Sequence, residues 1–330
     1  MKEMLKVGML SKWHVHAEGY AKNVLGTGKA EITAVWDDDV ERGSKWADEL
    51  GCKYFSDLDE FLASDIEAIV CDAPTCDHYE LLMKCALAKK HIFTEKALAP
   101  TVAECEKLCK VIEDAGITFV ISLPQRVSPA VKFAKKMIDE GKFGKISLIR
   151  LRNGHDGVSG NWLPEYWFDA AKTGGGALMD LGCHPMYTAA YLLGTPKRIS
   201  SVMTAPFGSK VDEFATATIE YEDGAVCVGG TSFVSYRTPG SVEVYGSDAT
   251  FIQMGSYCRF FSKELAENGA PQGIEPVLPN VEPIPLVQFI DACVNKTGTP
   301  EIFGTKAAIE LTRLLENAYI SNNENRIVEL

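Results

Sequence analysis

Leu5-Lys6-Val7-Gly8-Met9-Leu10 opens the chain with an apolar run, and Glu31-Ile32-Thr33-Ala34-Val35-Trp36-Asp37 follows as a second one. Between them, from about Ala17 to Leu25, apolar residues recur at helical spacing. Two extended runs joined through a helix form a β-α-β unit, whose strands lie parallel. The alternation continues. Arg42 to Leu50 reads as a helix, then Tyr54-Phe55 as a short strand, and Asp57 to Ala63 as a helix. Ala68 to Ala73 reads as a buried strand, Asp77 to Lys89 as a helix, and His91 to Thr94 as a strand. A helix over Thr101–Ala115 and a strand over Thr118–Ile121 close the set. Continuous apolar strands alternating with amphipathic helices predict an α/β, doubly wound parallel sheet. The ligand of such a sheet lies at the carboxyl ends of its strands.

After Pro124 the pattern changes. Ala130 to Glu140 reads as a helix and Lys145 to Asn153 as a strand. Another helix ends near Leu193, and successive strands fill Arg198 to Gln253. Hairpin signals at Glu222-Asp223-Gly224 and Tyr245-Gly246-Ser247-Asp248 make this part an antiparallel sheet. Five prolines between residues 271 and 285 mark a loop. Helices over about Leu286–Val294 and Thr305–Ser321 follow, and Arg326-Ile327-Val328 is a terminal strand. Two domains are expected, 1–122 and 123–330, with the last long helix packing near the first.

The 330 residues suffice for two cores, and 46% hydrophobic with 24% charged residues is ordinary for a globular protein. A net charge of −12 excludes a nucleic-acid partner and suits a neutral or polar metabolite. Met1-Lys2-Glu3-Met4-Leu5-Lys6 lacks an apolar leader, and no run is long enough to span a membrane, so a cytoplasmic location is expected. The ten cysteines are scattered without zinc-type spacing, and no metal site is expected.

Four segments carry candidate chemistry. The turn Ser11-Lys12-Trp13-His14-Val15-His16 sits where a phosphate-binding loop belongs, but it has no G-x-G-x-x-G. Either Ser11, Trp13 and His16 occupy the glycine positions, or the turn is shortened and His16-Ala17 opens the helix. Asp37, ending the second strand, can accept hydrogen bonds from an adenosine ribose and repel a 2′-phosphate, which favours NAD over NADP. Asp38 and Asp39 strengthen that repulsion; helix capping is the plainer use of these acids. Thr94-Glu95-Lys96-Ala97 follows a strand, at the edge where the ligand should lie. In Gly174-Gly175-Gly176-Ala177-Leu178-Met179-Asp180-Leu181-Gly182-Cys183-His184, Asp180 and His184 are four apart and would share a helix face. A carboxylate beside an imidazole is a common proton-transfer arrangement.

With these residues assembled, the chain resembles the Gfo/Idh/MocA family of NAD(P)-dependent oxidoreductases over essentially its whole length. Ala73-Pro74-Thr75-x-x-His78 is similar to the family's Pro-Asn-x-x-His turn, with Thr75 for the usual Asn. His91 to Lys96 matches the strand into Glu-Lys-Pro, with Ala97 for proline. Gly174 to His184 matches the Gly-Gly-Gly-x-x-x-Asp-x-Gly-x-His signature, and Ser321 with Arg326 to Leu330 resembles the family's ending. The resemblance implies an N-terminal Rossmann domain and a C-terminal α+β domain on a large, mostly antiparallel open sheet. It implies Lys96, Asp180 and His184 as the catalytic set. It also implies a cofactor site of Ser11, Trp13, His14, Asp37, Ala73, Pro74, Thr75, His78, Glu95 and Lys96.

The expected reaction is hydride transfer between the nicotinamide of NAD, or NADP, and a secondary hydroxyl of a sugar, cyclitol or related polyol. A free lysine sits about 3 units above neutral pH, whereas histidine needs almost no retuning. His184 is therefore assigned as base, and Lys96 as the donor that stabilises the substrate oxygen. Arg152, His155, Trp162 and Trp167, with Asp180 and His184, are the expected substrate contacts, since aromatic rings with interleaved polar groups suit a sugar face. Asp156 and Tyr166 stand beside them in the same segments, and Tyr236 and Arg237 are weaker candidates. The alternatives are a redox-neutral lyase or glycosidase using transient oxidation, and a cofactor-binding regulator without turnover. An open sheet face favours a homodimer or homotetramer.

Overall fold

The computed structural model describes residues 4–330. Met1-Lys2-Glu3, where the leader-free reading begins, lie outside the described residues. Strands β1 (Leu5–Leu10), β2 (Ala30–Trp36), β3 (Lys53–Phe55), β4 (Ala68–Cys71), β5 (His91–Thr94) and β6 (Phe119–Ile121) alternate with helices. These are α1 (Ala17–Gly26), α2 (Val40–Leu50), α3 (Leu58–Ala63), α4 (His78–Leu87) and α5 (Val102–Ala115). Then come α6 (Pro129–Asp139), β7 (Ile146–Gly154), α7 (Ala170–Thr173), a π-type turn Leu178–Gly182 and α8 (Cys183–Leu193). Strands β8 (Pro196–Thr204), β9 (Phe214–Tyr221), β10 (Val226–Ser232), β11 (Ser241–Gly246), β12 (Ala249–Met254) and β13 (Tyr257–Ser262) follow. The chain ends with α9 (Lys263–Glu267), α10 (Pro285–Asn295), α11 (Thr305–Glu324) and β14 (Val328–Glu329).

The described residues form two sheets. The first has the order β3-β2-β1-β4-β5-β6, with every pairing parallel. Its central strand β4 is apolar throughout and all four of its residues are buried, because helices cover both faces. Asp39, Asp57 and Thr101 cap α2, α3 and α5 by accepting the N–H of the third residue on, each worth about 1 kcal/mol. The strand order reverses between β1 and β4, which opens a crevice at their carboxyl ends.

The second sheet has the order β13-β12-β11-β7-β10-β9-β8-β14. It is antiparallel except where β7 and β10 run parallel. Buried and open residues alternate along β9, as expected for a sheet covered on one face. Helix α8 packs on β7 and β10. Strand β13 was not read from the sequence, and the terminal strand is confined to Val328 and Glu329.

The compact units are not the two continuous stretches expected. One takes the residues up to Leu123 together with Pro283–Thr312; the other takes Pro124–Glu282 and Arg313–Leu330. The reason is α10, whose Leu286, Phe289 and Ile290 are fully buried and which packs on α1, β1, β5 and β6. Burying each such side chain is worth about 1.5–3 kcal/mol, which secures a late segment to the early sheet.

Candidate functional site

In the first unit the candidate residues gather at the carboxyl ends of β1, β2, β4 and β5. A cavity of about 190 Å³ lies at the β1/β4 reversal, lined by Ser11, Trp36, Asp38, Ala73, Pro74, Asp77, Glu80 and Leu81. The indole N–H of Trp36 is buried without a hydrogen-bond partner among the described residues. An apolar wall of Trp36, Ala73, Pro74 and Leu81 beside three acids, Asp38, Asp77 and Glu80, offers a ring surface and acceptors for hydroxyls, so the residues present suit the nucleoside of the dinucleotide that the sequence implies.

Asp37, expected at the adenosine ribose, is not among the residues lining this cavity. Its buried carboxylate accepts the N–H of Lys12 (2.7 Å) and of Asp39 (2.9 Å), and both Nε (3.0 Å) and Nη2 (2.5 Å) of Arg42. Four donors fill its lone pairs. Burial opposes its charge, yet Arg42 and the two amides hold the carboxyl below its usual range. Asp37 ties the turn to the second strand, and Asp38, with a side chain 52% exposed and its Oδ1 2.8 Å from Arg42 Nη2, is one of three acids on the cavity wall, with Asp77 and Glu80. Both follow the strand, so sequence position alone did not separate them.

Ser11 is buried in the left-handed region (φ 71°), a backbone conformation that usually selects glycine. Its hydroxyl accepts the N–H of Trp13 at 3.2 Å. His78 is fully buried, with Nδ1 2.9 Å from the Ala97 carbonyl oxygen and Nε2 3.0 Å from that of Ala73. Both ring nitrogens meet backbone carbonyls, so His78 braces Ala73 and Ala97, and it is not among the residues lining the cavity. Thr75 begins the turn before α4, half-buried and outside the cavity lining.

Glu95 and Lys96 directly follow β5, with side chains 1% and 2% exposed. Glu95 Oε2 accepts the Lys96 N–H at 3.0 Å and lies 3.9 Å from its ammonium. Oε1 accepts from Tyr20 O–H and, at 2.8 Å, from His16 Nδ1. Burial works against ionisation of Glu95, but His14, Lys96 and His16 hold its carboxyl well below the usual range. One ligating atom each from His14, His16 and Glu95 lies within 4.8 Å of the others. This cluster was not anticipated, because the histidines and the glutamate are separated by most of the first sheet's sequence. Beside it, Asp72 is fully buried, and its carboxyl has no hydrogen-bond partner among the described residues.

In the second unit, the triple glycine has a steric cause. Gly174 is left-handed (φ 74°), and a Cβ on Gly176 would stand 2.0 Å from the Asp212 carbonyl oxygen. Asp212 in turn accepts the N–H groups of Gly176 (2.9 Å) and Leu178 (2.7 Å), which pins the start of the next turn. That turn, Leu178–Gly182, is π-type and not the plain helix expected. π-type turns are rare and cluster at functional sites. Asp180 lies on it and accepts Trp167 Nε1–H at 3.3 Å. His184 opens α8, its Nδ1 2.7 Å from the buried Tyr187 hydroxyl, which also accepts the Gln125 N–H (3.0 Å). Tyr187 was not singled out from the sequence, although its i+3 spacing from His184 was a usable signal.

A cavity of about 230 Å³ brings His184 together with Arg152, Gln125, Asn153, Thr188 and Gln253. The other expected substrate contacts lie outside its lining. His155 stacks on Phe233 (5.0 Å between centroids) and meets Trp162 (4.6 Å), whose indole N–H donates to Asp156. Trp167 is buried; its indole N–H donates to Asp180, and its ring lies 6.0 Å from that of Tyr166. Among the described residues no helix is long and apolar enough to cross a membrane.

Two family profiles match this chain. Residues 8–122 match an oxidoreductase family with an NAD-binding Rossmann fold, and residues 131–252 match the GFO/IDH/MocA C-terminal domain. An uncharacterized oxidoreductase, YrbE of Bacillus subtilis (strain 168), is 27% identical over 253 residues, 74% of this chain and 70% of the relative. The scyllo-inositol 2-dehydrogenase (NADP(+)) IolW of the same organism is 28% identical over 195 residues, 58% of this chain and 52% of the relative. A solved levoglucosan dehydrogenase in complex with NADH and levoglucosan superposes with a TM-score of 0.82 at 20% identity, covering 99% of each chain. At that identity the likeness speaks for the fold alone.

Proposed function

This chain belongs to the Gfo/Idh/MocA oxidoreductase family, and we propose that it exchanges a hydride between NAD and a secondary hydroxyl of a sugar, cyclitol or related polyol. The observation that carries the reading is Lys96, withdrawn from water beside Glu95 at the end of β5. Burying an ammonium is costly, and such groups concentrate where charge must be handled. The nicotinamide, when bound, supplies the redox step.

The protein's own groups bind, orient and move a proton. Lys96 donates to the substrate oxygen and offsets the negative charge that develops there. Glu95, held ionised, pairs with the ammonium and keeps it in place. His184 takes the hydroxyl proton at Nε2, which requires the tautomer whose Nδ1–H donates to Tyr187. Asp180 orients the substrate hydroxyls, and the Trp167 indole steadies its carboxylate. Arg152, Asn153 and Gln253 line the cavity beside His184 and offer donors suited to a polyhydroxylated ligand. In the first unit, Asp38 binds the adenosine ribose and repels a 2′-phosphate, which makes NAD the preferred dinucleotide.

The test is a panel of sugars, inositols and glycosides assayed with NAD and with NADP. NADH accumulation with at least one polyol is expected. Substrate conversion without net NADH would replace this reading with the redox-neutral one.

A further inference from the structure

We propose that His14, His16 and Glu95 form a binding site for one divalent transition-metal ion. This goes beyond the hydride-transfer reading and does not depend on it. The turn from Ser11 to His16 lacks the glycines of a phosphate loop and carries two histidines, with His14 Nδ1 accepting the His16 N–H at 3.2 Å. Their rings face one another at 4.5 Å between centroids. Glu95 arrives from a different strand end, and the three ligating atoms already lie within 4.8 Å of one another.

Donors bound to Zn²⁺ at about 2.0–2.2 Å lie roughly 3–4 Å apart, so closure of under about 2 Å forms the site. His16 can supply it, since its side chain is 51% exposed on an irregular turn. The other two ligands are braced. The His14 N–H donates to the Asp72 carbonyl oxygen at 3.0 Å, and Tyr20 O–H and the Lys96 N–H both donate to the Glu95 carboxylate. Hydrogen-bonded carboxylate ligands are the usual outer support of metal centres. The ion takes the place of the hydrogen bond from His16 to Oε1, while Lys96 lies 3.9 Å from the other oxygen, Oε2. Two imidazoles and a carboxylate select Zn²⁺, Co²⁺ or Ni²⁺ over Mg²⁺ and Ca²⁺, which prefer all-oxygen shells. The exposed side of His16 gives the ion an entry path and leaves positions for water or another oxygen ligand.

Full-length, untagged protein, freed of metal with a chelator and without nucleotide, is titrated with Co²⁺. Visible absorption bands of bound Co²⁺ saturating at one equivalent are expected, with Zn²⁺ abolishing them. His16→Ala alters an exposed ring and should weaken Co²⁺ binding by roughly tenfold or more. His14→Ala should do the same where circular dichroism shows a native fold, and His155→Ala should leave the bands unchanged. Substoichiometric Co²⁺, or unchanged affinity in His16→Ala, overturns the site. Failure here leaves the hydride-transfer reading standing, because the titration contains no dinucleotide or polyol. The polyol panel is run separately on metal-free protein, and absence of NADH formation there would sink that reading alone.

Discussion

The Tyr187 hydroxyl stands 2.7 Å from Nδ1 of His184 and 3.0 Å from the Gln125 N–H. It sets which nitrogen of the imidazole faces away from the helix. Tyr187→Phe is expected to lower kcat by about tenfold, the worth of one hydrogen bond, with KM for the polyol little changed. A rise in KM at constant kcat would assign Tyr187 to substrate binding instead.

His184→Ala removes the proposed base itself. Turnover should fall on the order of 10²–10⁴-fold while NAD affinity, measured by fluorescence titration, is retained. Undiminished turnover excludes His184 from proton transfer.

Asp37 and Asp38 should separate cleanly. Asp38→Ala is expected to weaken NAD binding by roughly 10–100-fold, the loss of hydrogen bonds to a charged acceptor, and to narrow the preference over NADP. Asp37→Ala should instead lower thermal stability, because Arg42 and two backbone amides lose their acceptor. The opposite pattern would return the ribose role to Asp37.

Burial pushes the Asp72 carboxyl well above its ordinary range, and the Glu95 charge adds to that. A carboxyl with a raised folded pKa stabilises the fold below its unfolded value, and the contribution is lost as pH rises through the folded one. Each pH unit in that window is worth about 1.4 kcal/mol. Asp72→Asn keeps the shape and cannot ionise, so its melting temperature should gain on the wild type steadily from about pH 4 upward. A constant difference across pH would show that Asp72 does not titrate in the fold.

Gly176→Ala would drive a methyl group into the Asp212 carbonyl, a backbone atom with no room to retreat. A loss of about 3 kcal/mol is expected, with activity lost as the turn bearing Asp180 shifts. A variant of native stability would remove the steric account of the triple glycine.

Much of this was legible in the chain itself. The apolar runs of β1, β2 and β4, and the helices between them, follow from local periodicity, because a strand buried on both faces must be apolar throughout. The alternation in the second half gave its sheet in the same way. The position of Glu95-Lys96 after a strand, and of Asp180 and His184 after three glycines, is also local information.

The rest was decided by contacts between segments distant in sequence. Whether Asp37 or Asp38 faces the cavity is decided by burial and by two backbone amides that only Asp37 accepts, since Arg42 reaches both carboxylates, and adjacent identical residues look alike in a sequence. The return of α10 to the first sheet depends on an apolar face meeting a gap that only the folded sheet presents. The π-type turn under Asp180 arises where Asp212 grips the backbone of Gly176 and Leu178 from across the chain. Likewise, His14 and His16 acquire meaning only when β5 delivers Glu95 beside them. Periodicity determines which face of an element is buried; the partner that each polar group finds is fixed only when the elements pack.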